Sequence, residues 1–183
     1  LKIGVSHSRY IANRVAIDLS KSSFVKLTKG VDAVVDATEK IVLEDLKNEE
    51  SLEERVREML DEYEDEIEYN FADEKELFKM VKKKLAPEYN FLISYEERFS
   101  HLSYKILKEL IEKKLINFKV NETRVKSLIF DSIENYIDDR FNVEERVLER
   151  IKKYKRKLIP GTDEYQIIFQ KLYEDELRTK GSI

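Results

Sequence analysis

The sequence holds no cysteine, two prolines, four glycines and two histidines in 183 residues. Without cysteine there is no disulfide, no thiolate metal ligand and no thiol nucleophile, a composition that suits a reducing cytoplasm. So few glycines and prolines cannot punctuate the tight turns of a many-stranded sheet, so the expected fold class is all-α. No apolar run approaches the ~20 residues that span a bilayer, and the opening LKIGVSHSRYIANRVAIDL lacks the uninterrupted apolar core of a signal peptide. A cytoplasmic protein with no membrane contact is expected. The chain opens on Leu1 rather than Met, so a native start upstream is expected as well.

Chemical motifs are also missing. There is no Gly-x-Ser-x-Gly elbow and no glycine-rich phosphate loop. Glu97 and His101 stand four apart, with Glu109 and Glu112 beyond. A di-iron bundle, however, needs two Glu-x-x-His pairs and two further Glu, and neither His7 nor His101 has that spacing. The carboxylates of EDLKNEE and YEDEIE have the spacing of solvated helix faces. The expectation is therefore no catalytic residue, no cofactor, no metal site and no enzymatic activity.

What the chain does have is charge on a helical beat. Hydrophobic residues make up 42% and charged residues 39%, which suits amphipathic helices rather than disorder. A chain of this length buries roughly 70% of its extended surface. Abundant Lys and Glu, with only two glutamines, are the composition of a heat-adapted protein.

The chain also matches itself at a constant offset of 91. Leu19 falls on Leu110, Val34 on Val125, Glu53 to Val56 on Glu144 to Val147, Tyr63 on Tyr154 and Phe78 on Phe169. The apolar phase stays in register without a gap: Ile11 falls on Leu102, Val15 on Ile106, Leu60 on Ile151 and Val81 on Leu172. This implies an internal duplication, a first helical repeat over 1–88 and a second over 92–183, joined near Pro87.

Each repeat reads as four helices. In the first, residues 8–22 carry Ile11, Val15 and Leu19, and residues 31–48 carry Val34, Val35, Val42 and Leu46. Ser51 with Glu54 forms a capping box for a third helix with the stripe Val56, Leu60, Tyr63 and Ile67, and a fourth begins about Asp73. In the second, Ser94 with Glu97 caps a helix bearing Leu102, Ile106, Leu110 and Leu115, and Val125, Ile129 and Tyr136 mark the next. Asn142 with Glu145 caps the stripe Val147, Ile151, Tyr154 and Leu158. After the Pro160-Gly161 turn, Thr162 caps a last helix carrying Ile168, Phe169, Leu172 and Tyr173. The expected architecture is an elongated helical bundle with two protruding antiparallel hairpins and pseudo-two-fold symmetry.

The two expected third helices differ in sign. Glu53 to Glu68 holds nine acids and two arginines, a net of −7, whereas Glu144 to Ile159 holds three acids and seven bases, a net of +4. Arg146, Arg150, Lys153 and Lys157 fall at helical spacing beside the apolar stripe, and Lys152, Lys155 and Arg156 extend the basic segment. Three readings compete. These are solvated faces with local ion pairs, surfaces complementary to protein partners, or a phosphate-binding patch. Against the last stand the sequence pI of about 5.5 and net charge of −4 and the lack of a nucleic-acid-binding signature. The expected function is an interaction or scaffold protein with protein partners; the alternative is nucleic-acid binding through residues 146–157.

The C-terminal stretch IPGTDEYQIIFQKLYEDEL resembles the closing signature of a bacterial family known as domain of unknown function 507. Ile159, Pro160, Gly161, Thr162, Glu164, Tyr165, Lys171, Tyr173, Glu174, Glu176 and Leu177 fill the pattern, with Tyr165 where the family has Trp. Arg98, Phe99, Ser100, His101 and Leu102 match the start of the same pattern, so the resemblance covers residues 95–181. In the first repeat Tyr69-Asn70 stands in place of Pro160-Gly161. The resemblance implies a helical bacterial protein without an assigned activity, and carries no catalytic residues across.

Overall fold

A computed structural model describes residues 2–63 and 73–179. Among them are six helices and one two-stranded antiparallel ribbon. A 3-10 turn, Val5–His7, leads into α1 (Ser8–Lys21), β1 (Val25–Leu27) and α2 (Val31–Glu62). Next, α3 (Glu74–Leu85) runs into a 3-10 turn, Ala86–Tyr89. Then follow α4 (Tyr95–Glu112), β2 (Ile116–Phe118), α5 (Glu122–Lys152) and α6 (Asp163–Thr179). The protein is mostly helical, as composition requires.

Local cap chemistry sets several ends where expected. The Asp73 carboxylate accepts from the backbone N–H of Lys75 and Glu76, and the Ser94 hydroxyl accepts from that of Glu97. At α6, Thr162 donates to the Ile159 carbonyl and accepts from the Tyr165 N–H. Each side chain satisfies an amide that the first helical turn leaves unpaired. Gly30 enters α2 at φ 83, in the left-handed region that glycine alone adopts without strain.

Two expected breaks are absent. Ser51 and Asn142 lie inside continuous helices, so the starts of the two expected third helices fall within α2 and α5. Neither stretch contains Gly or Pro, and a capping box cannot start a helix where the preceding residues already propagate one. At 32 residues, α2 is about 48 Å long. Its inner stripe runs through Leu52 and Val56 to half-buried Met59 and Leu60, whereas Tyr63 is exposed. Tyr154 is exposed too, beyond the end of α5. Ile67 and Tyr69-Asn70 lie outside the described residues.

The ribbon was not anticipated. Val25 pairs with Phe118, Lys26 with Asn117 and Leu27 with Ile116, and Val25 and Ile116 are buried. Thr28 extends the pairing, its N–H donating to the Leu115 carbonyl and its hydroxyl to that of Lys114. Three residues per strand are too few to display an alternating pattern in sequence.

The described residues form two compact units, one of residues 3–134 and the other of residues 135–179 with Lys2. In the first, Ile11, Val15 and Leu19 of α1, Val34, Val35 and Val42 of α2, and Ile106 and Leu110 of α4 are buried. A second apolar cluster joins Leu52 and Val56 of α2 to Leu85, Ala86 and Phe91, with Phe78 and Val81 packed against it.

Candidate interaction surface

In the unit from Asn135 onward, Val143 and Val147 of α5 are buried with Leu172 and Leu177 of α6, and Ile151, Ile168, Phe169 and Tyr173 pack against them. On α6 the rings of Tyr165, Phe169 and Tyr173 follow one another at four-residue steps, with centroids 6.3 Å and 6.1 Å apart. Arg140 donates to the Tyr173 hydroxyl at 2.9 Å and sits over the ring of Tyr136 at 5.3 Å.

The basic residues expected to form one outward face divide into two groups. Arg146 and Arg150 turn to Glu176 of α6, each at 3.1 Å, so that one carboxylate takes both guanidinium groups. The helix then ends at Lys152, and Lys153, Lys155, Arg156 and Lys157 lie in the turn before Thr162 rather than along a helical face. That corrects the expected alignment of Lys153 and Lys157 with Arg146 and Arg150. Within the turn, Arg156 pairs with Glu164. Lys152 reaches back to Glu149 at 3.0 Å, and its hydrogen bond holds the Glu149 carboxyl below the usual range. Lys153, Lys155 and Lys157 are exposed beside the exposed Tyr154 and Ile159.

Most signature residues of the C-terminal pattern act within this unit. Glu176 holds the two arginines, Tyr173 takes Arg140, and Tyr165 begins the ring series. Glu174 accepts from Gln170 at 3.0 Å. Pro160 and Gly161 form the turn, with Gly161 at φ 88. Lys171 is exposed.

A site that the sequence reading missed lies in the unit Ile3–Glu134. The Arg98 guanidinium, with its side chain only 7% exposed, holds Asp45 at 2.6 Å and Glu49 at 2.9 Å. Lys82 of α3 holds Glu49 at 2.8 Å and Glu53 at 2.9 Å. Both cations approach the ring of Phe91, Arg98 at 4.5 Å and Lys82 at 5.4 Å. Burial pushes the Lys82 ammonium down, but hydrogen bonds to Glu49 and Glu53 more than offset this and raise its pKa. Arg98 is raised in the same sense, burial opposing and Asp45 leading the attraction.

Of the acids of EDLKNEE, Asp45 and Glu49 are therefore part of a half-buried ion-pair network, whereas Glu44 and Glu50 are exposed as a solvated face requires. Asp45, Glu49 and Glu53 recur every four residues, and that spacing was the available signal. The network ties α2 to α3 and α4; with its carboxylates paired to cations it has the character of a structural clamp. His7 accepts from the Gly4 N–H at 3.1 Å, and His101 is exposed. Among the described residues no group of three or more His, Asp or Glu could hold a metal ion, and none of their helices is long and apolar enough to cross a membrane.

Compared with known protein families, residues 1–182 match the one described as Protein of unknown function (DUF507). The chain belongs to this family. The match takes in the first half as well, beyond residues 95–181 that carry the resemblance in sequence. Arg98 of the signature start thus has its role in this fold defined by Asp45 and Glu49. A search of curated proteins finds no match.

Proposed function

We propose that the protein is a non-enzymatic interaction or scaffold protein, built by internal duplication, which presents two charged helical hairpins to protein partners. Element positions support the duplication. The ends of α1 and α4, the starts of β1 and β2, and the starts of α2 and α5 are each 91 residues apart. In the ribbon Lys26 faces Asn117, again 91 apart, so the local two-fold of an antiparallel pair exchanges equivalent residues. The two hairpin cores correspond in the same way: Leu52 with Val143, Val56 with Val147, Phe78 with Phe169, Val81 with Leu172 and Ala86 with Leu177.

The observation that carries the function is the exchange of the outer faces on this common core. Exposed Lys79 and Lys83 correspond to exposed Gln170 and Glu174, and exposed Glu50 and Arg57 to exposed Phe141 and Leu148. Even the polar link between the helices is rewritten, Glu49 with Lys82 in one hairpin and Arg140 with Tyr173 in the other. Packing needs the apolar core alone, so divergence of the exposed faces around a common core fits surfaces given to different partners.

The test is capture of partners from lysate of the native organism by the full chain, with and without nuclease. A defined protein that survives nuclease supports the proposal. The second reading, nucleic-acid binding, draws on exposed cations beside Tyr154: Lys152 at the end of α5, and Lys153, Lys155 and Lys157 in the turn. It gains if recovery vanishes with nuclease and with the four-lysine-to-Glu variant, and if affinity falls steeply with salt, since each neutralised phosphate releases counterion.

A further inference from the structure

One line of α5 has no counterpart in the core. Asp138, Phe141, Glu145, Leu148 and Lys152 recur at alternating steps of three and four and are all exposed, so they form a single stripe on one side of the helix. Phe141 is 53% exposed and Leu148 38%. The duplication supplies an internal control. Positions 47, 50, 54, 57 and 61 of α2 correspond to 138, 141, 145, 148 and 152, and hold Lys47, Glu50, Glu54, Arg57 and Asp61, all exposed. The fold tolerates charge at every one of these positions. Phe141 and Leu148 are therefore not demanded by folding, and two large apolar side chains on an otherwise charged line mark a contact surface.

The stripe also specifies what covers it. Its apolar pair is set among acids, Asp138 and Glu145, and it ends on a cation, Lys152. The complement is a helix with an apolar residue among lysines and acids at one end. The exposed face of α3 has that composition: Met80, 64% exposed, between Lys79, Lys83 and Lys84, with Glu76 towards its start. None of these α3 residues is in an ion pair among the described residues.

We propose, resting on the interaction reading above, that α3 of one molecule lies antiparallel along the α5 stripe of a second copy of the chain. With a rise of about 1.5 Å per residue, Met80 placed level with Glu145 sits between Phe141 and Leu148. Lys83 and Lys84 then come level with Phe141 and reach Asp138, Lys79 reaches Glu145, and Glu76 approaches Lys152. The parallel arrangement would set Glu76 against Asp138 and the lysines against Lys152, so charge selects the antiparallel one. The contact is heterologous, one surface meeting a different one.

Sedimentation velocity of the full chain over a range of concentration and salt tests the proposal. Wild type associates with rising concentration, and salt weakens the association. Phe141→Glu and Met80→Glu each weaken it by roughly tenfold or more, with helicity unchanged by circular dichroism. Asp138→Lys with Glu145→Lys, and Lys79→Glu with Lys83→Glu, each lose self-association alone, and an equimolar mixture of the two restores it. A wild type that stays monomeric throughout overturns the self-docking, even where another protein is captured on the stripe, and leaves the interaction reading to its capture experiment. Association undiminished in the variants, or a mixture that fails to associate, overturns it too.

Discussion

Replacing Arg98 by Met removes the centre of the ion-pair network while keeping most of the side chain's volume. Arg98 holds both Asp45 and Glu49 from a position 7% exposed, and stripping one partner from a fully buried pair costs about 3 to 5 kcal/mol because a charge is left uncompensated. Two features reduce that figure. Asp45 retains 21% exposure, and Glu49 keeps Lys82 at 2.8 Å. Loss of the contact with Phe91 adds about 0.5 to 1 kcal/mol. The net expectation is about 3 kcal/mol of destabilisation. With an m-value of about 2 kcal/mol per molar urea, the unfolding midpoint falls by about 1.5 M at unchanged m. Urea titration followed by circular dichroism measures it. Arg98→Met with Asp45→Leu recovers part of the loss, because the stranded carboxylate is gone. A midpoint within about 0.3 M of wild type would refute the claim that Arg98 clamps α2 to α4.

Three further outcomes are expected. The raised pKa of Lys82 means that its contribution is complete below the ordinary lysine value and is lost as pH rises through the folded-state value; Lys82→Arg, which stays charged, should therefore flatten the alkaline fall of melting temperature, and superimposable curves would contradict the linkage. Lys114 closes α4 at φ 54, with the Leu115 N–H donating to the Leu110 carbonyl at 2.9 Å, so Lys114→Gly should stabilise by about 1 kcal/mol in chemical denaturation. Glu176→Gln weakens the hold on Arg146 and Arg150, and because those side chains are 41% and 43% exposed the loss should be only about 1 kcal/mol in the same assay.

The features legible in the sequence were those whose cause is local. Asp73, Ser94 and Thr162 cap helices because a side-chain oxygen two or three residues away is all that an N-terminus needs. The apolar phase placed Leu102, Ile106 and Leu110 inside for a similar reason. Ser51 and Asn142 misled because an identical local pattern occurs within helices that are fixed by what packs on them. For α2 that packing is partly apolar, through Leu52 and Val56, and partly polar: Glu49 and Glu53 also face inward, held by Lys82 and Arg98, 29 to 49 residues away in sequence. Arg146 and Arg150 looked like a free basic face because their partner, Glu176, is 30 and 26 residues distant. The ribbon pairs strands 91 residues apart at three positions, too brief a segment to interrupt a helical phase.

On the proposed function the two hairpins have corresponding cores and differ in what their outsides bind. The decisive variant gives the second hairpin the residues of the first, Phe141→Glu with Leu148→Arg, the side chains at positions 50 and 57. Protein capture by this chain is then compared with wild type alongside the melting temperature. The melting temperature should stay within about 2 °C of wild type, and the proteins captured by wild type should be lost. A variant that unfolds, or one that keeps the full set of captured proteins, would contradict the proposed function.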